Sequence, residues 1–312
     1  MILIFSSCIS TSKNTNREYK GEANMNVAEV QLPSDIHPDS LNNLSATQDG
    51  GYVLAPGLYE AEFKTYCLQP GTPDPSPRDA YLQSPVTGYR KEIVETVLNN
   101  SRVKSGIRQR NIQLLLWSIV SDANYNNLSN EVQADSKQLL TSKQIFELKG
   151  GWANVARTVS NNIPSGNGDF KRILEMGSES YEKIEKLAVL PEPSTIHRPD
   201  FKLDQWYAQD GGYFVRYFPV SYKSVRMQVY VPEGLLDSTG KASGKYLVFN
   251  PTGMQVIPAN SNAQRLGVGG TVIDILRKVI IINKENKPAP KRVPEKKKEK
   301  APVRKKGEIT VK

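Results

Sequence analysis

Histidine and cysteine are scarce. The 312 residues hold two of each, Cys8 and Cys67, His37 and His197. Two cysteines so far apart are too few for a disulfide framework or a zinc site. His37 precedes Pro38 and His197 precedes Arg198-Pro199, so both sit in loop-like stretches that suit neither a metal site nor a proton relay. A phosphate-binding glycine loop, a nucleophile elbow, a paired-histidine zinc helix and an EF-hand loop are all missing. Gly267-Val268-Gly269-Gly270 lacks the dinucleotide-loop spacing and reads as the glycine-rich exit of a strand. No cofactor and no metal is expected, and the role expected is non-enzymatic. Long apolar runs are missing as well. The best late one, Val279-Ile280-Ile281-Ile282, falls far short of the roughly 20 residues that cross a bilayer as a helix.

Positive charge is plentiful, but it is concentrated. The net charge is +9, and from Lys284 onward twelve Lys and Arg face four Glu, a local balance of +8. The remainder is therefore nearly neutral, which excludes a broad basic face for DNA and assigns any electrostatic partner to the tail, residues 283–312. Its clusters Lys296, Lys297, Lys298 and Arg304, Lys305, Lys306 are the expected contacts to an anionic envelope surface. The tail has no aromatic residue to stack on single strands, so nucleic acid is the poorer partner. A Lys, Pro and Glu composition cannot bury enough apolar surface to fold alone, and disorder is expected there.

At the other end, Met1-Ile2-Leu3-Ile4-Phe5 leads through Ser6-Ser7 to Cys8. This apolar, then small, then cysteine order resembles the end of a bacterial lipoprotein signal, with residues 1–8 as a partial signal. The resemblance implies acylation at Cys8, membrane attachment by lipid, and an address in the cell envelope as an outer-membrane lipoprotein facing the periplasm or the surface. If Met1 is the true start, the expectation becomes a soluble cytoplasmic interaction protein. Residues 9–51, rich in Ser, Thr, Asn and Asp and without sustained period, read as a flexible spacer.

Between these ends the spacing predicts two packed parts. Ile112, Leu115, Leu116, Ile119 and Ala123 form one apolar helical stripe, widened by Leu114, Trp117 and Val120, which predicts a core helix over 108–122. Further helical patterns run over 89–99, 130–140 and 170–190, the last with a kink at Gly177-Ser178. Thr141 and Gln144 have capping-box spacing for a short helix over 144–148. Residues 59–68 fit a short helix or a strand, and alternate prolines in 70–85 exclude regular helix. These patterns predict an antiparallel bundle-like domain over 52–190. After a proline-rich linker, 191–199, the period changes to two. Strands are expected over 213–218 and 225–231, the second with Val225, Met227, Val229 and Val231 on one face, followed by 246–249 and 254–257. The fold class expected is thus α+β, a helical bundle-like domain followed by a small antiparallel sheet over 200–282.

Chemistry is thin. Cys67 between Tyr66 and Leu68 reads as a buried small hydrophobe. A glycan hydrolase needs two carboxylates, but Glu175, Glu179, Glu182 and Glu185 alternate with lysines as on a solvated helix face. Aromatic and arginine residues of the strands, Trp206, Tyr213, Arg216, Tyr217, Arg226 and Tyr230, form the candidate recognition surface, because such residues concentrate binding energy. The function expected is a lipid-anchored envelope scaffold or binding component with envelope protein partners; a cell-wall glycan hydrolase is the alternative.

Overall fold

The computed structural model describes residues 26–44, 47, 50–150, 168–176, 180–233 and 247–272. Its organising strand is β4, Gly57–Cys67, where Tyr59, Ala61, Phe63 and Cys67 join one apolar cluster and the alternate residues Glu60, Glu62 and Lys64 do not, as a period of two requires. Around it lie β1 (Val27–Ala28), β2 (Asp39–Ser40), β3 (Tyr52–Leu54), β5 (Thr72–Pro73), β6 (Tyr81–Ser84) and β7 (Val189–Leu190). The later strands are β8 (Trp206–Gln209), β9 (Tyr213–Ser221), β10 (Ser224–Val231), β11 (Leu247–Phe249), β12 (Gln255–Pro258) and β13 (Leu266–Thr271). The main sheet runs β1-β8-β9-β10-β4-β13-β12-β6, and β2 pairs in parallel with β4 beside it. Every other pairing in this sheet is antiparallel.

The sheet curls into a half-barrel. Tyr217 on β9 donates its hydroxyl to Gln83 Oε1 on β6 at 2.7 Å, although four strands separate β9 from β6 in the sheet order. The inner face carries the main core, with Val215, Val225, Met227, Val229, Val256, Leu266 and Val268 fully buried.

Helices cover part of the outer face. They are α1 (Lys91–Val103), α2 (Gln109–Val120), α3 (Asn130–Leu139), α4 (Ser142–Leu148), α5 (Gly168–Met176) and α6 (Tyr181–Ala188). A second apolar cluster joins Ile93, Val97, Leu98, Ile112, Leu116 and Leu139 to Tyr66 and Leu68 at the end of β4. The glycines of β13 make this contact close. A Cβ at Gly269 would lie 2.8 Å from both Ser101 Oγ and the Tyr66 ring, so α1 sits against bare backbone. Gly267-Val268-Gly269-Gly270 is thus the body of a strand rather than its exit. Helix α2 bridges both cores: Ile112, Leu115 and Leu116 face the helical cluster, and Trp117 enters the main one.

The expected helical bundle followed by a small sheet is therefore corrected. Strands precede the helices, and the sheet takes β1, β2, β4 and β6 from one side of the helical stretch and β8, β9, β10, β12 and β13 from the other. The physical reason is burial: β4 has a core-facing residue at every second position, and only neighbours far downstream supply its two antiparallel ladders. The stretch 191–199 is pinned to the loops that flank β6 and β12, with Ser194 donating to Asp79 Oδ1 at 2.6 Å and His197 N–H to Asn260 O at 2.8 Å. The kink expected at Gly177-Ser178 lies outside the described residues.

Candidate functional site

Among the described residues, the helices leave uncovered the outer face of β8, β9, β10 and the first half of β4. Directly paired residues share a face, so register assigns this surface. Ala208, Phe214, Tyr230 and Leu58 form one row, and Arg216, Gln228 and Glu60 the next. Their side chains interlock. Arg216 Nε donates to Gln228 Oε1 at 2.8 Å, Gln228 Nε2 to Glu60 Oε2 at 2.5 Å, and Arg226 to the same oxygen at 2.6 Å.

Aromatic rings complete the network. The Arg216 guanidinium lies 4.4 Å from the Trp206 ring centre and 5.3 Å from that of Phe218, and Arg226 lies 4.1 Å from Phe218. Phe214 stacks on Tyr230 at 6.2 Å. Cation–π contacts of this kind fix the guanidinium planes and leave their edges free to donate. Burial, the largest influence, lowers the pKa of Arg216 from its ordinary value, opposed by Asp204 and Glu60. The strip is amphipathic, preorganised and close to neutral.

Of the six surface residues expected from sequence, Trp206, Arg216, Arg226 and Tyr230 come together here. Tyr213 and Tyr217 occupy the opposite face of β9: Tyr217 is in the main core and Tyr213 packs on Phe249. Phe214, Phe218, Gln228 and Glu60 were missed. Parity along β9 was the available signal, since Phe214, Arg216 and Phe218 alternate with the core-facing positions. Cys8 and the tail residues Lys296, Lys297, Lys298, Arg304, Lys305 and Lys306 lie outside the described residues.

A second constellation surrounds Trp117, whose indole stacks on Tyr181 at 5.9 Å and Tyr222 at 6.4 Å. The Tyr181 and Tyr222 hydroxyls are 2.9 Å apart. Tyr222 also donates to Glu185, which receives the Lys223 ammonium at 2.8 Å. Asp74 Oδ1 accepts the Tyr222 backbone N–H at 2.7 Å. Burial raises the Asp74 carboxyl above its ordinary range, and nearby Glu185 adds to the rise. Burial also pushes Tyr181 up to about 12 and Tyr222 well above its ordinary value, so both phenols act as protonated hydrogen-bonding groups. Glu185 is tied into this network instead of lying on a solvated helix face.

Cys67 is fully buried, and burial pushes its thiol up to about 12, with Trp117 beside it pulling the other way. A thiol held protonated and away from solvent is a packing group, not a nucleophile. Among the described residues, no group of three or more His, Cys, Asp and Glu could hold a metal ion, and no helix is long and apolar enough to cross a membrane. The chain matches no protein-family model, no curated protein and no solved structure.

Proposed function

We propose that this chain is a lipid-anchored protein of the bacterial cell envelope that acts as a non-enzymatic binding component of an envelope assembly. In this reading Cys8 carries the lipid, the outer face of the half-barrel docks an envelope protein, and the tail beyond Lys284 holds an anionic envelope surface. The observation that carries it is the Trp206–Arg216–Phe218–Arg226 ladder braced by Gln228 and Glu60. Rigid aromatic and arginine side chains on a sheet face are the groups that dominate protein interfaces. The test is site-specific photo-crosslinking from position 218 in cells, with radiolabelled palmitate followed in parallel. Capture of one envelope protein, lost on Arg226→Ala, together with label that depends on Cys8, supports the reading. Absence of both sinks it.

A second reading, glycan hydrolysis, draws on the neighbouring carboxylates Asp74 and Glu185 and on the raised pKa of Asp74. The geometry favours the first reading, because Asp74 and Glu185 are both engaged by Tyr222, and Glu185 by Lys223 as well. Release of soluble peptidoglycan fragments by the purified chain, abolished by Asp74→Asn or Glu185→Gln, would reverse that preference.

A further inference from the structure

Leu58, Trp206 and Gln228 belong to the outer face, yet they are only 4%, 6% and 8% exposed. Register identifies what covers them. Val27, Tyr207, Val215, Val229, Tyr59 and Asp39 lie in one continuous row across the sheet. The row spans five strand spacings, about 24 Å. Residues 28–38 join its two ends, and the twelve Cα steps from Val27 to Asp39 reach at most about 40 Å when extended, less the turn that Ile36 N–H closes on Pro33 O at 3.1 Å. The segment is therefore long enough to cross β8, β9, β10 and β4 and too short for a wide detour around them.

It crosses on the outer side. The inner face along this row is filled by Tyr207, Val215, Val229 and Tyr59, none more than 2% exposed, and a segment inside the barrel would itself be buried. Instead Val30, Leu32 and Ile36 are half-buried, while Glu29, Gln31, Pro33, Ser34, Asp35, His37 and Pro38 are exposed. This is the pattern of an extended strip laid on a surface by a few apolar side chains. Its acidic residues, Glu29 and Asp35, complement a face that carries Arg216 and Arg226.

We propose that residues 29–38 are a detachable strap filling a peptide groove on this face. The groove's exchangeable occupant is an extended, mildly acidic segment of the envelope partner with apolar side chains at alternate positions. This rests on the reading that the outer face docks a protein. The strap is held by three partly exposed apolar side chains and ends in a two-residue edge strand, so it opens at far lower cost than the barrel. A partner meets the groove only in the open fraction, and its apparent affinity falls by that fraction.

The test uses the full chain carrying Val30→Ser, Leu32→Ser and Ile36→Ser, with Leu32→Ser alone as the milder variant should the triple one lose its circular-dichroism signal. Hydroxyl-radical footprinting is expected to show severalfold higher oxidation of Trp206 and Leu58, with inner-face Tyr207 and Val229 unchanged. A synthetic peptide of the sequence of residues 26–40 is expected to bind the triple variant at least about tenfold more tightly than the parent. Unchanged protection of Trp206, or equal peptide binding by parent and variants, overturns the proposal. Crosslinking from position 218 separates the two ideas. Equal capture of an envelope protein by parent and variants keeps the docking reading and removes the strap's control; peptide exchange without any captured protein keeps the strap and removes the docking reading.

Discussion

The side-chain amide of Gln113 holds the backbone of Cys67 at both ends, accepting its N–H at 2.8 Å and donating to its C=O at 3.0 Å. Helix α2 thereby completes the ladder of β4 where the strand ends, with Gln113 only 1% exposed. Gln113→Ala leaves two buried backbone groups unpaired and is expected to cost about 2–4 kcal/mol. Urea unfolding measures it. A loss below about 0.5 kcal/mol would mean that the clasp is idle.

Alkali should unfold the protein before it titrates it. Burial holds Cys67, Tyr66, Tyr207 and Tyr213 up to about 12, against ordinary values of 9.0 for the thiol and 10.0 for the phenols. Above pH 9 the unfolded chain releases these protons and the folded chain keeps them, so stability falls as pH rises from 9 to 12. Below pH 9 these groups add no slope. Melting temperatures between pH 8 and 11, with tyrosinate absorbance followed in native and urea-unfolded protein, give the comparison. A flat profile would contradict the burial of these groups.

Gly269→Ala places a methyl group 2.8 Å from Ser101 Oγ and the Tyr66 ring. Helix α1 must shift, at an expected cost of about 1–3 kcal/mol. Chemical denaturation of this variant beside Gly106→Ala, where nothing stands within 4 Å, separates crowding from loss of glycine.

Arg216→Lys keeps the charge but loses the planar group stacked between Trp206 and Phe218, and is expected to cost about 1 kcal/mol. The Arg226–Glu60 pair is 40% and 29% exposed, so a double-mutant cycle there should return no more than about 1 kcal/mol. A coupling well above that would show the ladder to be drier than its exposure implies.

Local chemistry was legible in the sequence, and long-range pairing was not. The apolar stripe of α2 follows from its own spacing, as does the capping box of Thr141 and Gln144, whose two reciprocal hydrogen bonds are present. The inner face of β10 was equally readable from Val225, Met227, Val229 and Val231. Strand β4 shows the limit. Its alternation of Tyr59, Ala61 and Phe63 with Glu60, Glu62 and Lys64 fits a strand, but the segments that pair antiparallel with it begin at Ser224 and Leu266, and no local pattern names them. The site was half-legible for the same reason: residue type singled out Tyr213 and Tyr217, and only strand parity turns them inward.

That pairing also sets the order of events as the chain is made. Strand β4 gains its two antiparallel ladders only from β10 and β13, so it leaves the ribosome long before either neighbour exists. Its apolar face must wait, unpaired, for the synthesis of some two hundred further residues, and contacts of such wide sequence separation form slowly. The sheet can therefore close around β4 only after β13 has been made, late in translation.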